Sequence, residues 1–205
     1  MMRLKAAAGL LAMTLALGAC SVLPKTDALG VYQFPQPASN SAQSGPRLPL
    51  ALRINTPYAG YALSGPRIMV MTADQRLLSY QGVRWSDPVP LLLREYLAVN
   101  FQRSNRLASV TTDEQSLYAD VHLGTTLRRF QLVDGNPSEV VIEVDARLVN
   151  PESRRVYVTR NFVVRQPVTS TQIDAVVAAY GQAAEALTAE LLPWAMQQLT
   201  VIPQK

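Results

Sequence analysis

The sequence predicts an α+β domain in two layers, with two main helices packed on a mostly antiparallel sheet. Alternating apolar and polar residues fill much of the stretch from residue 117 to residue 165, which is typical of a sheet with one buried face. Residues 88–104 and 171–193 instead carry apolar side chains at helical spacing. The chain has 205 residues, which is enough for one domain with its own core.

The first twenty residues have the organisation of a bacterial export signal. Met1–Lys5 is short and positively charged, and the apolar run Ala6–Leu17 is too short to span a bilayer but suits a signal-peptide core. Leu17-Gly18-Ala19-Cys20 then resembles the lipobox, in which small residues precede a cysteine that is acylated. We expect cleavage between Ala19 and Cys20, and palmitate on Cys20. The alternative is an ordinary signal peptide cut nearby, with an unmodified thiol.

The expected organisation is a signal peptide at residues 1–19, a lipidated N-terminus and tether at 20–49, and the folded domain at 50–205. The tether is rich in Pro, Ser, Gln and Asn, a composition that does not bury a core. Within it, Val31–Phe34 is predicted as a short edge strand. Several acyl chains hold a protein stably at a membrane, so we expect a lipid-anchored periplasmic domain. Ser21 favours the outer membrane over the inner membrane.

The domain is predicted to open with three strands. Apolar residues alternate over residues 50–54, and Pro57 ends this strand. Residues 67–71 and 76–81 are predicted to pair as a hairpin, because Asp and Gln in the short segment between them favour a turn.

The first helix is predicted to start at Asp87-Pro88 and to run to about Ser104. Asp is a good N-cap and Pro is favoured at the first helical position. Tyr80 and Trp85 on the preceding loop are candidates for contact with a partner or a lipid. The alternative is that Trp85 is an apolar staple that packs the helix start onto the sheet.

Turn signals divide the long alternating stretch into strands. Asp134-Gly135-Asn136-Pro137 and Asn150-Pro151-Glu152-Ser153 are both rich in turn residues. Between them, one face of the predicted strand is apolar and the other is mixed, as expected when only one face is buried. The second helix is predicted to follow a capping arrangement at Thr171–Asp174. Pro193 should kink or end its regular part.

The composition argues against an integral membrane protein and against a nucleic-acid binder. No long apolar run exists beyond the first twenty residues. The formal net charge is +4, and removal of Arg3 and Lys5 with the signal peptide lowers it to about +2. The remaining arginines are scattered, whereas nucleic-acid binders cluster them on one face.

No catalytic, metal or cofactor site is evident in the sequence. His122 is the single histidine, and a Ser–His–Asp arrangement with Asp120 and either Ser109 or Ser116 lacks the nucleophile-elbow pattern. One histidine and one acylated cysteine are too few ligands for a metal, and no phosphate-binding glycine loop is present. We therefore expect no enzymatic activity and no cofactor.

The order of these elements resembles the family of ABC-type transport auxiliary lipoproteins, of which paraquat-inducible protein C is the best-known type. The resemblance covers nearly the whole mature chain. It rests on the lipobox, the strand with Arg53-Ile54, Trp85-Ser86-Asp87-Pro88 before a Leu-rich helix, Arg128-Arg129-Phe130, and an Ala-rich C-terminal helix. Family members often carry Glu where this chain has Asp87. The resemblance implies a role beside mammalian-cell-entry (MCE) proteins and their ABC transporters, which move lipid between membranes, and it implies no catalytic residues.

Three functions therefore remain open. The first is a non-catalytic auxiliary subunit that docks an MCE protein, and through it an inner-membrane ABC transporter. The second is a lipid carrier with its own groove between helix and sheet, and the third is a structural or assembly lipoprotein without a transport role. The sequence does not separate the first two, because core and groove residues look alike. The oligomeric state and the transported lipid also stay open.

Overall fold

The structure is a computed structural model that describes residues 28–36, 45–115 and 117–202. The predicted signal peptide with Ala19 and Cys20 lies outside the described residues, as does Ser116. In chain order the elements are β1 (Gly30–Tyr32), β2 (Leu48–Ile54), β3 (Tyr58–Ala59), β4 (Met69–Met71), β5 (Leu77–Ser79), β6 (Val83–Trp85), α1 (Val89–Arg103), β7 (Leu107–Thr112), β8 (Val121–Val133), β9 (Glu139–Val149), β10 (Val156–Pro167) and α2 (Ile173–Val201).

The sheet is mixed, and its long hairpins are antiparallel. β8, β9 and β10 pair in sequence order as an antiparallel meander. The other edge of β8 pairs in parallel with β2, then β3, then β4, so that three short strands lie one after another along it. β2 also pairs in parallel with β7, and β4 pairs with β5 as the predicted hairpin. With two helices packed on this sheet, the predicted α+β class is confirmed.

The alternating pattern of β9 explains why the sheet has one buried face. Its inward side chains are all fully buried: Val140, Ile142, Val144, Ala146 and Leu148. On the outer face, Glu143 and Asp145 are partly exposed. A bulge in β8 at Arg128 directs Arg128 and Arg129 towards these carboxylates. Arg128 Nε donates to Asp145 at 2.7 Å, and Arg129 pairs with Glu143.

Both helices start differently from the prediction. α1 has Pro88 at its N-cap without a side-chain cap, so Asp87 does not cap it. The N–H of Val89 instead donates to the carbonyl of Gly65, which satisfies a donor that the cap would otherwise bond. α2 likewise begins after Gln172 without a side-chain cap, and Pro193 is accommodated inside the helix, which continues to Val201.

Two strand predictions also need correction. Residues 117–120 are not in a strand, and β8 begins at Val121. β7 (Leu107–Thr112) was not predicted, since its side chains do not alternate cleanly between apolar and polar.

The predicted domain boundary at residue 50 falls inside β2, and part of the predicted tether, around Val31–Phe34, packs on the domain.

The core lies between α2 and the inner face of the sheet. α2 contributes small and apolar residues that are fully buried, including Ala183, Ala184 and Leu187. Small residues let a helix approach a sheet closely, so that the layers pack without a gap. Near the start of α2, Trp85, Phe130 and Tyr180 form an aromatic cluster, in which the rings of Phe130 and Tyr180 stack at 4.7 Å.

Candidate functional site

A short N-terminal segment, residues 29–36, docks on the domain; we call it the strap. Its backbone pairs in parallel with β6, and Ser86 N–H donates to the Tyr32 carbonyl at 2.8 Å. The Tyr32 hydroxyl donates to Asp174 in the first turn of α2 at 2.9 Å. This hydrogen bond is the main cause of a raised Tyr32 pKa. The strap is therefore part of the fold.

The strap ends in an aromatic anchor. The Phe34 ring is buried and lies 5.5 Å from the rings of both Trp85 and Tyr96. Pro35 packs against α2 at Gly181, where an added Cβ would stand 2.8 Å from the proline Cβ. Glycine at this helix position therefore permits the close approach of the strap.

The structure places the two aromatic candidates in different environments. Trp85 is fully buried in the aromatic cluster, and its indole N–H has no hydrogen-bond partner among the described residues. In this conformation Trp85 offers no surface to a lipid or a protein. Tyr80 is half-buried and its hydroxyl donates to the Thr171 carbonyl at 2.9 Å. Burial is the larger cause of its raised pKa, and the Asp134 charge adds to it.

The most exposed aromatic side chains lie elsewhere, on β3 and the loop that follows it. Tyr58 is 71% exposed and Tyr61 is 93% exposed. They border an open depression of about 490 Å³ whose lining includes Leu63, Met71 and Arg128. Large exposed aromatics beside apolar and arginine side chains are typical of protein contact surfaces. Sequence reasoning missed this Tyr58–Tyr61 surface, because the short β3 carries no periodic pattern.

A buried arginine organises one side of α1. Arg94 is only 3% exposed, and its guanidinium bonds Asp113 at 3.1 Å and Glu114 at 2.6 Å. It also bonds Glu95 on the same helix and the hydroxyl of Thr56. Burial alone would lower the Arg94 pKa, but the hydrogen bonds with its carboxylate partners outweigh burial and raise it. The guanidinium is therefore a charged clamp between α1, the chain after β2, and the chain after β7.

The geometry around His122 does not assemble a hydrolytic triad with Ser109. Ser109 lies on β7 and His122 on β8, with β2 between them, which puts them more than about 10 Å apart at ordinary strand spacing. Asp120 instead accepts the Ala51 N–H at 2.7 Å. Burial first, and the charge of Arg53 second, lower the His122 pKa, so the ring is neutral at pH 7. No metal-binding group of three His, Cys, Asp or Glu residues occurs within the described ranges.

The fold and its N-terminal strap define a class of protein: an α+β domain with a short N-terminal segment docked on it. The model of the family "ABC-type transport auxiliary lipoprotein component" matches residues 32–191. The chain therefore belongs to this family. The match begins inside the strap, which agrees with the packing of Phe34 in the core. No helix in the described part of the chain is long and apolar enough to cross a membrane.

Solved structures share the fold. A protein from Xanthomonas campestris is 27% identical, with a TM-score of 0.73 over 83% of this chain and 96% of that one. An uncharacterized protein is 19% identical with a TM-score of 0.64, covering 82% and 99%. A hypothetical protein from Chlamydia trachomatis is 9% identical with a TM-score of 0.52, covering 74% and 98%. None of the curated proteins matches the chain.

Proposed function

We propose that this protein is a non-catalytic, lipid-anchored auxiliary subunit of an ABC transport system that moves lipid across the bacterial envelope. The observation that carries the proposal is the match of the transport auxiliary lipoprotein family over residues 32–191, joined to the lipobox-like sequence that ends at Cys20. The anchor would hold the domain at the periplasmic face of the outer membrane, and its partner would be an MCE-domain protein.

The anchoring step is tested directly on Cys20. Full-length protein is expressed in bacteria fed an alkyne analogue of palmitate, beside a Cys20→Ser variant. We expect the label on the parent protein, none on the variant, and release of the variant from the membrane fraction. An unlabelled parent protein in the soluble fraction would overturn the proposal.

The Tyr58–Tyr61 surface is our candidate for the partner contact. Tyrosine and arginine are enriched at protein interfaces and among the side chains that contribute most to binding. The depression is open and bordered by Arg128. It therefore suits a protein side chain better than an acyl chain, which would favour an enclosed apolar site. The interface between α2 and the sheet, by contrast, is filled by buried side chains, which favours a docking subunit over a carrier with an internal groove.

Co-purification tests both the partner and the surface. Tagged full-length protein is recovered from detergent-solubilised envelopes, and its partners are identified by mass spectrometry. We expect an MCE-domain protein, with at least a tenfold lower yield for a Tyr58→Ala, Tyr61→Ala double variant. Tyr118→Ala is the matched control, since Tyr118 is also an exposed tyrosine, at 67%. Recovery of no MCE protein across several detergents would count against the proposal.

A further inference from the structure

The strap runs along α2 in a defined direction. Tyr32 contacts Asp174 in the first turn of α2, and Pro35 contacts Gly181, seven residues further along the helix. The strap therefore runs parallel to α2 and begins at the N-terminal end of that helix. Tyr80 reaches the same end, where it bonds Thr171.

The opposite end of the molecule can be placed in the same way. α2 starts six residues after the end of β10 and packs back along it, with the Trp194 ring 5.4 Å from that of Phe162. The C-terminal end of α2 therefore lies towards the turn between β9 and β10. α2 has 29 residues, so about 43 Å separates its two ends at an α-helical rise of about 1.5 Å per residue.

Two apolar side chains are exposed where the strap enters the domain. Leu29 is 54% exposed and Val31 is 51% exposed. Alternate residues of an extended chain point to the same side, so both side chains share one side of the strap. Among the described strands β1 pairs with β6 alone, so its other edge has no strand partner there.

The length of chain before the strap limits where this end can lie. Leu29 is nine residues after Cys20, and nine residues span at most about 30 Å when fully extended. If Cys20 carries acyl chains, as the proposed function requires, the strap end of the domain cannot leave the bilayer by more than that distance. The C-terminal end of α2 lies about 43 Å from its N-terminal end. This length exceeds the roughly 30 Å that the chain between Cys20 and the strap can span.

We infer that the strap sets the orientation of the domain on the membrane, and that Leu29 and Val31 contact the bilayer surface. The N-terminal end of α2 faces the lipid, and the C-terminal end of α2 with the β9–β10 turn points into the periplasm. A tether attached to a loose segment would allow any orientation, whereas the docked strap fixes the exit direction through β1, Tyr32 and Phe34. This inference rests on the proposed lipid anchor.

Site-specific labelling tests the orientation. The sequence has one cysteine, and its acylation would leave an introduced cysteine as the free thiol. Full-length protein with Leu29→Cys, Val31→Cys or Gln197→Cys is labelled with an environment-sensitive fluorophore and reconstituted into phosphatidylethanolamine–phosphatidylglycerol vesicles that contain a nitroxide-labelled phospholipid. Gln197 is exposed near the C-terminal end of α2.

We expect at least threefold stronger quenching at positions 29 and 31 than at position 197. Equal quenching at the three positions in vesicle-bound protein would overturn the orientation while leaving the anchor intact. Protein that does not float with the vesicles would overturn the anchor, and the orientation with it.

A second variant tests the role of the strap. Gly181→Ala places a Cβ within 2.8 Å of Pro35, whereas nothing lies within 4 Å of an added Cβ at Gly60. We expect Gly181→Ala to reduce the difference in quenching between positions 29 and 197, and Gly60→Ala to leave it unchanged. An unchanged difference in both variants would show that strap docking does not set the orientation.

Discussion

At the scale of single residues, Arg94 is the charge on which the packing of α1 depends most. A buried guanidinium is tolerated when its donors are all used, and here Glu95, Asp113, Glu114 and Thr56 accept from it. The carboxylates are partly exposed, with the Asp113 side chain 35% exposed. They can therefore be hydrated if the arginine is lost, which limits the cost of removing it.

Replacing Arg94 tests this clamp. We expect Arg94→Ala to lower the free energy of unfolding by about 1–3 kcal/mol, because the hydrogen bonds and the packing of the buried stem are lost together. Arg128→Ala removes an exposed ion pair with Asp145 and should cost less than about 0.5 kcal/mol. Urea denaturation of both variants measures the difference, and equal costs would contradict a special role for Arg94.

Asp113 should make the fold sensitive to acid. Burial alone would raise its pKa, but hydrogen bonds from Thr56 and Arg94 outweigh burial and hold the pKa below its usual range. A carboxyl with a depressed folded-state pKa stabilises the fold above its unfolded pKa of about 3.9, and that stabilisation is lost as the pH falls through the folded pKa. We expect the free energy of unfolding to decline below about pH 4, with a shallower slope for Asp113→Asn. Parallel slopes would refute this assignment.

His122 is expected to be dispensable for function. It lies on β8, and the candidate nucleophile Ser109 lies on β7, beyond β2. We expect His122→Ala to fold normally and to complement a strain that lacks the gene. Loss of complementation by a folded variant, judged by circular dichroism, would reopen the hydrolase hypothesis.

At the scale of elements, the strap is held mainly by one side chain. Its three-residue pairing with β6 is short, and isolated two-stranded pairs are marginal in water. Phe34 supplies the apolar burial that the short pairing lacks.

We therefore expect Phe34→Ala to lower the free energy of unfolding by about 3–5 kcal/mol, as for other buried phenylalanines. Val31→Ala, in the same strap but exposed, should change it by less than about 0.5 kcal/mol. Denaturant unfolding of the two variants gives the comparison. A small effect at Phe34 would indicate that the strap is peripheral to the fold.

At the scale of the whole molecule, β8 is the centre of the architecture. It pairs with β9 along one edge and with β2, β3 and β4 along the other, so all elements of the sheet depend on it. Stability should decrease from this strand outwards. We expect the slowest amide hydrogen exchange in β8 and β9 and the fastest among the strands in β1 and β6. Faster exchange in β8 than in β1 would contradict this order.

The sequence by itself determined the two helices, the β8–β10 meander and the α+β class. Local periodicity predicts these features, because one face of each element is apolar along its length. The lipobox-like segment is local as well, and from it follows the prediction of an anchor at Cys20. Tyr80 and Trp85 could be named as aromatic residues before the first helix. The prediction of a loop is wrong for Trp85, which ends β6, and local pattern carries no information on how deeply a single side chain is buried.

Only the tertiary structure decided the rest. The parallel addition of β2, β3 and β4 to β8, the burial of Trp85 and Arg94, and the docking of the strap all join segments far apart in the sequence. The sequence indicates the Arg94 ion pairs only weakly. Arg94 is a charged residue within an otherwise apolar helix face, and Asp113 and Glu114 follow it nineteen and twenty residues later. The physical reason is that periodicity reports which side of an element avoids water, whereas the partner that covers that side is selected by long-range packing.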